Sequence, residues 1–271
     1  MTLSSELAWW GPRADQSAMA AFGIRLGGGG AHQSKTMMFE ELETLLAIGP
    51  TEPSDLREAI ITNNVLGKPT VNTRSVTHRQ LVALYGLGGR TPITKVLLAL
   101  WKADPAGRRP LALLVALARD PLLRDSAIAV VDGAIGSPVQ RPIFETELST
   151  AHPGRWSDAM LRSLAQNCAS TWTQSGHLEG PVRKIRRRVV PTPANVAFAA
   201  LLAMVSGFGG PAILSSIWMK VLDLLPDQAL DQLRRAEAVG LARVRSAGEI
   251  IEISVRRQMA ATLGVAGLEQ L

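Results

Sequence analysis

The sequence predicts a mainly α-helical protein, a multi-helix bundle with one or two small β-hairpin wings in its C-terminal part. Of the 271 residues, 46% are apolar and 19% are charged, which is a globular composition. Leu and Ala are abundant, whereas aromatic residues account for only 4% of the chain, which favours packed helices. Capping residues and prolines precede many of the short apolar segments and glycines follow them, as expected for consecutive helices.

Residues 35–150 predict five or six short helices without strand alternation. The first ends at Gly49-Pro50, and Thr77 with Gln80 forms a predicted capping box for a later one. Asp120-Pro121 combines a cap with a first-turn proline and predicts the start of another helix. The predicted helices cover approximately residues 35–48, 54–65, 77–85, 91–104, 110–118 and 120–134.

The C-terminal part predicts helices followed by hairpins. Ser157 caps a helix that extends to Ser175, and a glycine and a short hairpin follow it. Further helices are predicted from Thr192-Pro193, from near Pro211, and from Pro226 to Val239. After residue 241 the pattern changes to alternation, which predicts a second hairpin.

These elements predict three segments. Residues 1–34 are expected to form a loosely ordered N-terminal extension, residues 35–150 a helical domain, and residues 151–271 a C-terminal helical domain with winged-helix-like units. The proline-rich stretch between residues 136 and 154 is the candidate boundary.

The positive charge is concentrated in the C-terminal part. Residues 1–150 hold 15 basic and 14 acidic residues, whereas residues 151–271 hold 14 basic and 9 acidic residues. Five of six consecutive residues in the first hairpin are basic, namely Arg183, Lys184, Arg186, Arg187 and Arg188. Such a ribbon beside a helix is suited to phosphate contacts.

The helix before this ribbon has a polar face opposite its apolar stripe. Arg162, Gln166 and Asn167 lie on that face and have side chains able to reach base edges or phosphates. The sequence therefore predicts a nucleic-acid interface formed by these three residues and the five ribbon cations. The competing interpretation is a solvated helix beside a basic strand that prevents edge pairing.

The second hairpin unit, residues 227–255, also contains arginines. Arg234 and Arg235 lie on its predicted helix, and Arg243, Arg245, Arg256 and Arg257 lie on or beside its predicted strands. Acidic residues are interspersed among them, which dilutes the positive charge. We therefore interpret this unit as a structural helix and hairpin.

Other functional classes are disfavoured. The single cysteine excludes a disulfide within the chain and a zinc site built from several cysteines, and the four histidines lack metal-ligand spacing. Gly29–Thr36 resembles a phosphate-binding loop, but no strand precedes it as that motif requires. The uncharged stretch 194–219 is broken by Gly and Pro, which favours two buried helices over a membrane span. We expect a cytoplasmic protein with no membrane association, no cofactor, no metal and no catalytic residues.

Several short motifs, in consistent order, resemble the BrxA family of bacteriophage exclusion (BREX) systems. They span roughly residues 35–255 and are Phe39-Glu40-Glu41, Asn64–Lys68, Ala118–Arg124, Leu178 with Gly180, Ser215–Trp218, and Gly240-Leu241 through Ala247-Gly248.

The resemblance implies a small helical component of a phage-defence system, with a fold similar to that of the NusB antitermination factors. It also implies nucleic-acid binding without enzymatic activity, with other defence proteins as partners. Asp120 and Pro121 are then structural, and Arg119 and Arg124 are expected as surface contacts.

Three functions remain open at this point. DNA binding is favoured over RNA binding because few aromatic residues are available for base stacking. The alternatives are a protein-interaction subunit of the defence complex and an RNA-binding factor similar to NusB.

Overall fold

The computed structural model describes residues 8–49, 52–247 and 250–270. It confirms the predicted class, because the chain is mainly helical and carries two small antiparallel two-stranded sheets in its C-terminal part. The hydrophobic side chains of both predicted halves belong to one core cluster. The division at residue 150 stays a prediction.

The N-terminal part of the chain is a series of helices joined by short turns. They are α1 (Gln16–Phe22), α2 (Phe39–Ile48), α3 (Pro53–Arg57), which continues into a π-helical turn (Glu58–Thr62), α4 (Val71–Tyr85), α5 (Pro92–Ala103), α6 (Arg108–Arg119), α7 (Pro121–Asp125), α8 (Ile128–Val131) and α9 (Arg141–Ala151). Helix α6 lies at the centre, where the residues between Pro110 and Ala118 are buried, and it packs against α4, α5 and α7.

The C-terminal part contains two helix-and-hairpin units. The first is α10 (Asp158–Gln174) with β1 (Leu178–Glu179) and β2 (Ile185–Arg186). The second comprises α11 (Pro193–Val205), α12 (Ile217–Lys220), α13 (Pro226–Ala238), β3 (Arg243–Ala247), β4 (Ile250–Ser254) and α14 (Arg256–Leu263). Short 3₁₀ turns cover Ala31–Gln33, Pro105–Gly107, Gly210–Ile213 and Leu268–Gln270.

Residues 8–34 differ from the loosely ordered extension that the sequence predicts. Met19 and Phe22 of α1 are buried, and the Trp9 ring packs edge-on against Trp218 with 5.0 Å between ring centroids. The sequence pattern was misleading because the apolar residues of this segment lie beside a run of four glycines. Their partners come from distant helices, which local periodicity does not reveal. Residues 1–7 lie outside the described residues.

The predicted start of a helix at Thr77 is also wrong. Helix α4 begins six residues earlier than expected, where Thr70 accepts a hydrogen bond from the Thr73 amide, so Thr77 is a buried mid-helix residue. The proline-rich stretch proposed as a domain boundary contains α9, with Pro142 in its first turn. A proline there removes an amide that has no helical partner anyway, so the residue starts a helix instead of breaking one.

The uncharged stretch forms two separate buried helical segments. Pro193–Val205 and Gly210–Lys220 meet at an angle of 118°. Among the described residues no single helix is both long and apolar enough to cross a bilayer.

Asp120 joins the N-terminal segment to the helical core. One carboxylate oxygen caps α7 by accepting from the Leu122 amide at 3.0 Å, as the sequence predicts. The other accepts from the His32 amide at 3.1 Å and lies 2.7 Å from His32 Nδ1. Gly30 approaches so closely that a Cβ atom there would lie 1.8 Å from Asp120 Oδ1. Within the glycine run, the lack of a side chain at Gly30 therefore leaves space for the carboxylate of Asp120.

We predict that Gly30→Ala destabilises the protein by about 2 kcal/mol, because the added methyl group overlaps a carboxylate held by several hydrogen bonds. Gly27→Ala is the matched control, since no described atom lies within 4 Å of a Cβ at that position. Urea unfolding of both variants provides the measurement. Equal stabilities for the two variants would show that the close approach at Gly30 is unimportant.

Candidate nucleic-acid interface

The first hairpin follows α10, as the sequence predicts, but it is short. Leu178 pairs with Arg186 and Glu179 pairs with Ile185. The outer edge of β2 is covered by residues 136–139, since the Val139 amide donates to Lys184 O at 2.8 Å and the Arg186 amide donates to Ser137 O at 2.9 Å. Strand β2 is thus paired on both edges, by β1 and by residues 136–139, and the hairpin is not a projecting ribbon.

Arg186 is wrongly predicted as a phosphate contact. Its side chain is 1% exposed and forms a forked ion pair with the carboxylate of Asp223. Its Nε also donates to Val130 O at 2.8 Å. A buried guanidinium needs such partners because an unpaired buried charge is strongly unfavourable. Arg186 therefore ties β2 to α8 and to the turn after α12.

Two more ribbon cations are bound by the protein itself. Lys184 is partly buried, and its Nζ donates to Thr173 Oγ1 at 2.8 Å. Burial lowers the pKa of Lys184. Arg187 lies on the surface, where its Nε is 2.5 Å from Glu179 Oε2. An exposed ion pair of this kind adds little stability and can exchange for a phosphate.

Arg183 and Arg188 remain available for a ligand. Both are exposed and have no hydrogen-bond or ion-pair partner within the described part of the chain. The basic run therefore provides two uncommitted guanidinium groups and one weakly paired one, instead of the five cations expected from the sequence.

The predicted polar face of α10 is only partly exposed. Arg162 and Gln166, near its N-terminus, are exposed. Asn167 is wrongly predicted to face a groove, since its Nδ2 donates to His32 O at 2.9 Å.

The second half of that face is covered by residues 32–39. Thr171 Oγ1 accepts from the Met37 amide at 2.8 Å and lies 2.7 Å from His32 Nε2. Gln174 donates to Thr36 Oγ1 at 2.9 Å. The polar side chains of Thr171 and Gln174 therefore hold the segment before α2.

The second hairpin is longer than the first, with five paired residues on each strand. Val244 and Ile253 pack toward the core, so Arg243 and Arg245 lie on the opposite, exposed face. That face and α14 line a concave site of about 560 Å³. The lining residues are Gly240, Arg243, Arg245, Glu252, Ser254, Arg257, Gln258, Ala261 and Thr262.

Sequence reasoning missed this site. The alternation of residues 251–255 was a usable signal for the sheet, and strand pairing then places Arg243 and Arg245 on one face. Arg257 reaches the site from α14, for which the sequence pattern predicted no helix, so its position could not be predicted.

Arg119 and Arg124 were predicted as surface contacts, but their side chains bind backbone carbonyl groups of the protein itself. Arg119 donates to Ala83 O at 3.0 Å and to Gly23 O at 2.8 Å. Arg124 is buried, and its Nη1 donates to Leu117 O at 2.7 Å. Burial lowers the pKa of each to about 10, so both still carry a proton near neutral pH. They stabilise free carbonyl groups at the end of α6 and in neighbouring turns.

No metal site is evident among the described residues, since no three His, Cys, Asp or Glu side chains cluster suitably. Asp120, His32 and Thr171 line up as a hydrolytic triad would, but all three are fully buried. Thr171 Oγ1 is already bound by the Met37 amide. Cys168 is also buried, which raises the pKa of its thiol.

Comparison with known proteins adds no relatives: no family model matches the chain, and no curated protein matches it.

We predict that Arg186→Gln lowers the free energy of unfolding by about 3 kcal/mol, because it leaves the Asp223 carboxylate buried without its counter-charge. Arg188→Gln is the matched control and is expected to change stability by less than about 0.5 kcal/mol, since that side chain is exposed. Chemical unfolding distinguishes the two. A stable Arg186→Gln protein would contradict the structural role of this ion pair.

His177 makes the junction between the two C-terminal units sensitive to pH. Its Nε2 lies 2.7 Å from Val221 O, and its own carbonyl accepts from the Arg187 amide. Burial lowers the pKa of His177 from 6.5 to about 4. Between these values the unfolded chain binds a proton that the folded protein does not, so stability falls as the pH drops.

We predict that the unfolding free energy of the natural protein falls more steeply between pH 6.5 and 4 than that of His177→Gln, by more than about 1 kcal/mol. Parallel pH profiles of the two proteins would show that another group controls stability in this range.

Proposed function

We propose that this protein is a non-catalytic DNA-binding component of a bacterial phage-defence system similar to BREX. The observation that carries the proposal is the arrangement of the second C-terminal unit, in which three helices are followed by a hairpin with an arginine-bearing exposed face. The defence context follows from the resemblance to the BrxA family, and other defence proteins are then its partners.

The order and packing of these elements are compatible with a winged helix. Helix α11 packs against both α12 and α13, and α13 packs against β3 of the following hairpin. In helix-turn-helix proteins the recognition helix enters the major groove. Helix α13 occupies that position here and exposes Gln228, Arg234 and Arg235, which are side-chain types that contact base edges.

The charges favour phosphate contacts from the hairpins over contacts from α13. Asp227, Asp231 and Glu237 are exposed on α13, and Arg234 lies 3.6 Å from Asp231. These carboxylates repel a polyanion. Electrostatic attraction therefore comes from the arginines of β3 and α14, together with the free cations of the first unit. Those cations are Arg162, Arg183 and Arg188, and Gln166 lies one helical turn from Arg162.

Duplex DNA is favoured over single strands because stacking platforms are absent. The sequence contains six Trp, five Phe and one Tyr. All of these aromatic residues lie within the described part of the chain, where every one is buried or partly buried. Proteins that bind single-stranded DNA or RNA generally stack bases on exposed aromatic rings. This observation also disfavours an antitermination-like RNA-binding role.

A protein-interaction subunit is the second candidate. It is favoured by the engagement of Lys184, Arg186 and Arg187 with protein groups. It is also favoured by two apolar side chains on either side of the basic run, since Val182 is 93% exposed and Val190 is 88% exposed. A docking surface for a defence protein would use these apolar and cationic side chains together.

We predict that the protein binds a duplex of about 20 base pairs more tightly than single-stranded DNA or RNA of the same length, with affinity falling as salt rises. Arg162→Gln/Arg183→Gln/Arg188→Gln is expected to weaken duplex binding by about fivefold or more, because three potential phosphate contacts are lost. Fluorescence polarisation across a salt series provides the measurement.

The control removes three exposed cations outside the proposed interface, as Arg79→Gln/Arg90→Gln/Lys95→Gln. It is expected to bind like the natural protein. Two results together would favour the protein-interaction function over DNA binding. The natural protein would bind no duplex at low salt, and it would capture a defence protein in high salt.

A further inference from the structure

The hairpin β3–β4 and helix α14 form a site that the sequence reading treated as structural. Strand pairing places Arg243 opposite Ser254 and Arg245 opposite Glu252. All four residues line the same concavity. Helix α14 closes one side with Arg257, Gln258 and Thr262. Two strands and a helix thus direct one set of polar residues to a single place.

The guanidinium groups of this site have no partner within the described ranges. Arg243, Arg245 and Arg257 form no hydrogen bond, ion pair or ring contact there. Arg119, Arg124 and Arg186 contrast with them, because each is held by carbonyl groups or a carboxylate of the fold. The fold therefore uses some of its arginines internally and leaves these three exposed.

The net charge of the lining is positive. Three arginines and one glutamate give a formal charge of +2. The Ser254 hydroxyl already donates to Gln258 Oε1 at 2.8 Å and the Thr262 hydroxyl to Gly240 O at 2.6 Å, so the amide group of Gln258 is the neutral side-chain donor that these three residues offer. Arginine forks combined with an amide donor match the oxygens of a phosphate group. Glu252 repels a second phosphate and limits how much negative charge the site accepts.

We propose that this concavity is a phosphate-binding site, held by Arg243, Arg245 and Arg257, and that its ligand is the phosphodiester backbone of the bound DNA. The identity of that ligand rests on the proposed DNA-binding function. The phosphate chemistry does not, since a free nucleotide or pyrophosphate presents the same oxygens. The site lies on the wing itself, and Gly240, just after α13, also lines it.

The competing explanation is that these arginines only keep the hairpin soluble and prevent edge pairing. That role requires exposed charge but no specific ligand. It predicts that the salt dependence of DNA binding is unaffected when the arginines are replaced. The number of phosphate contacts, read from the salt dependence, therefore separates the two explanations.

The experiment compares duplex binding of the full-length protein with that of Arg243→Gln/Arg257→Gln, Glu252→Gln and the charge-matched control Arg90→Gln/Lys95→Gln. The arginine variant is expected to lose about fivefold or more in affinity, and its slope of log affinity against log salt should flatten by about 2. Glu252→Gln is expected to bind about twofold more tightly, because a repulsive charge is removed. The control should retain both the affinity and the slope.

Thermal unfolding in the presence of sodium pyrophosphate gives a second measurement that does not involve DNA. Pyrophosphate should raise the Tm of the natural protein and of the control but not that of Arg243→Gln/Arg257→Gln. If DNA binding and the pyrophosphate shift are both unaffected by that variant, the phosphate site is overturned while the DNA-binding function stands. If the natural protein binds no duplex, the proposed function fails. In that case the change in Tm with pyrophosphate is the remaining test of whether the site binds phosphate. If pyrophosphate does not raise the Tm of the natural protein, the proposed phosphate site is overturned.

Discussion

The ion pair between Arg186 and Asp223 determines how the C-terminal half of the molecule is assembled. Both side chains are largely buried, and the carboxylate also accepts from the Val189 amide at 2.9 Å. Because neither charge is stable alone in the interior, the strand β2 and the turn after α12 must dock together. His177 supports the same junction through Val221. The first hairpin is consequently fixed against the second unit and cannot act as a free basic arm.

This ion pair helps to explain why the number of basic residues in the sequence overestimated the number of cations that are available to a ligand. The sequence shows five cations among six consecutive residues, but a strand alternates its faces, so one or more of them must point inward. Arg186 points inward, Lys184 bonds to α10, and Arg187 pairs across the hairpin. Locating Asp223 as the partner required knowledge of the tertiary fold, because 37 residues separate it from Arg186.

Much of the fold could be predicted from local sequence patterns. The Ser157 cap, the Asp120-Pro121 start and the second hairpin are set by short-range chemistry and were predicted correctly. The burial of residues 8–34 and the covering of α10 by residues 32–39 were not, since both depend on hydrogen bonds between residues more than 80 positions apart. The residues of the candidate site divide in the same way. Helical periodicity correctly predicts that Arg162 and Gln166 are exposed, whereas the role of Asn167 depends on its hydrogen bond to the distant residue His32.

We therefore propose that polyanions bind to arginines without an internal partner among the described residues, and above all to those around β3, β4 and α14. Modification of arginines by phenylglyoxal, read by mass spectrometry with and without duplex DNA, tests this assignment most directly. Arg243, Arg245 and Arg257 should react in the free protein and be protected by DNA, while buried Arg186 should stay unreactive in both states. Bound DNA that leaves the reactivity of those three arginines unchanged would contradict it.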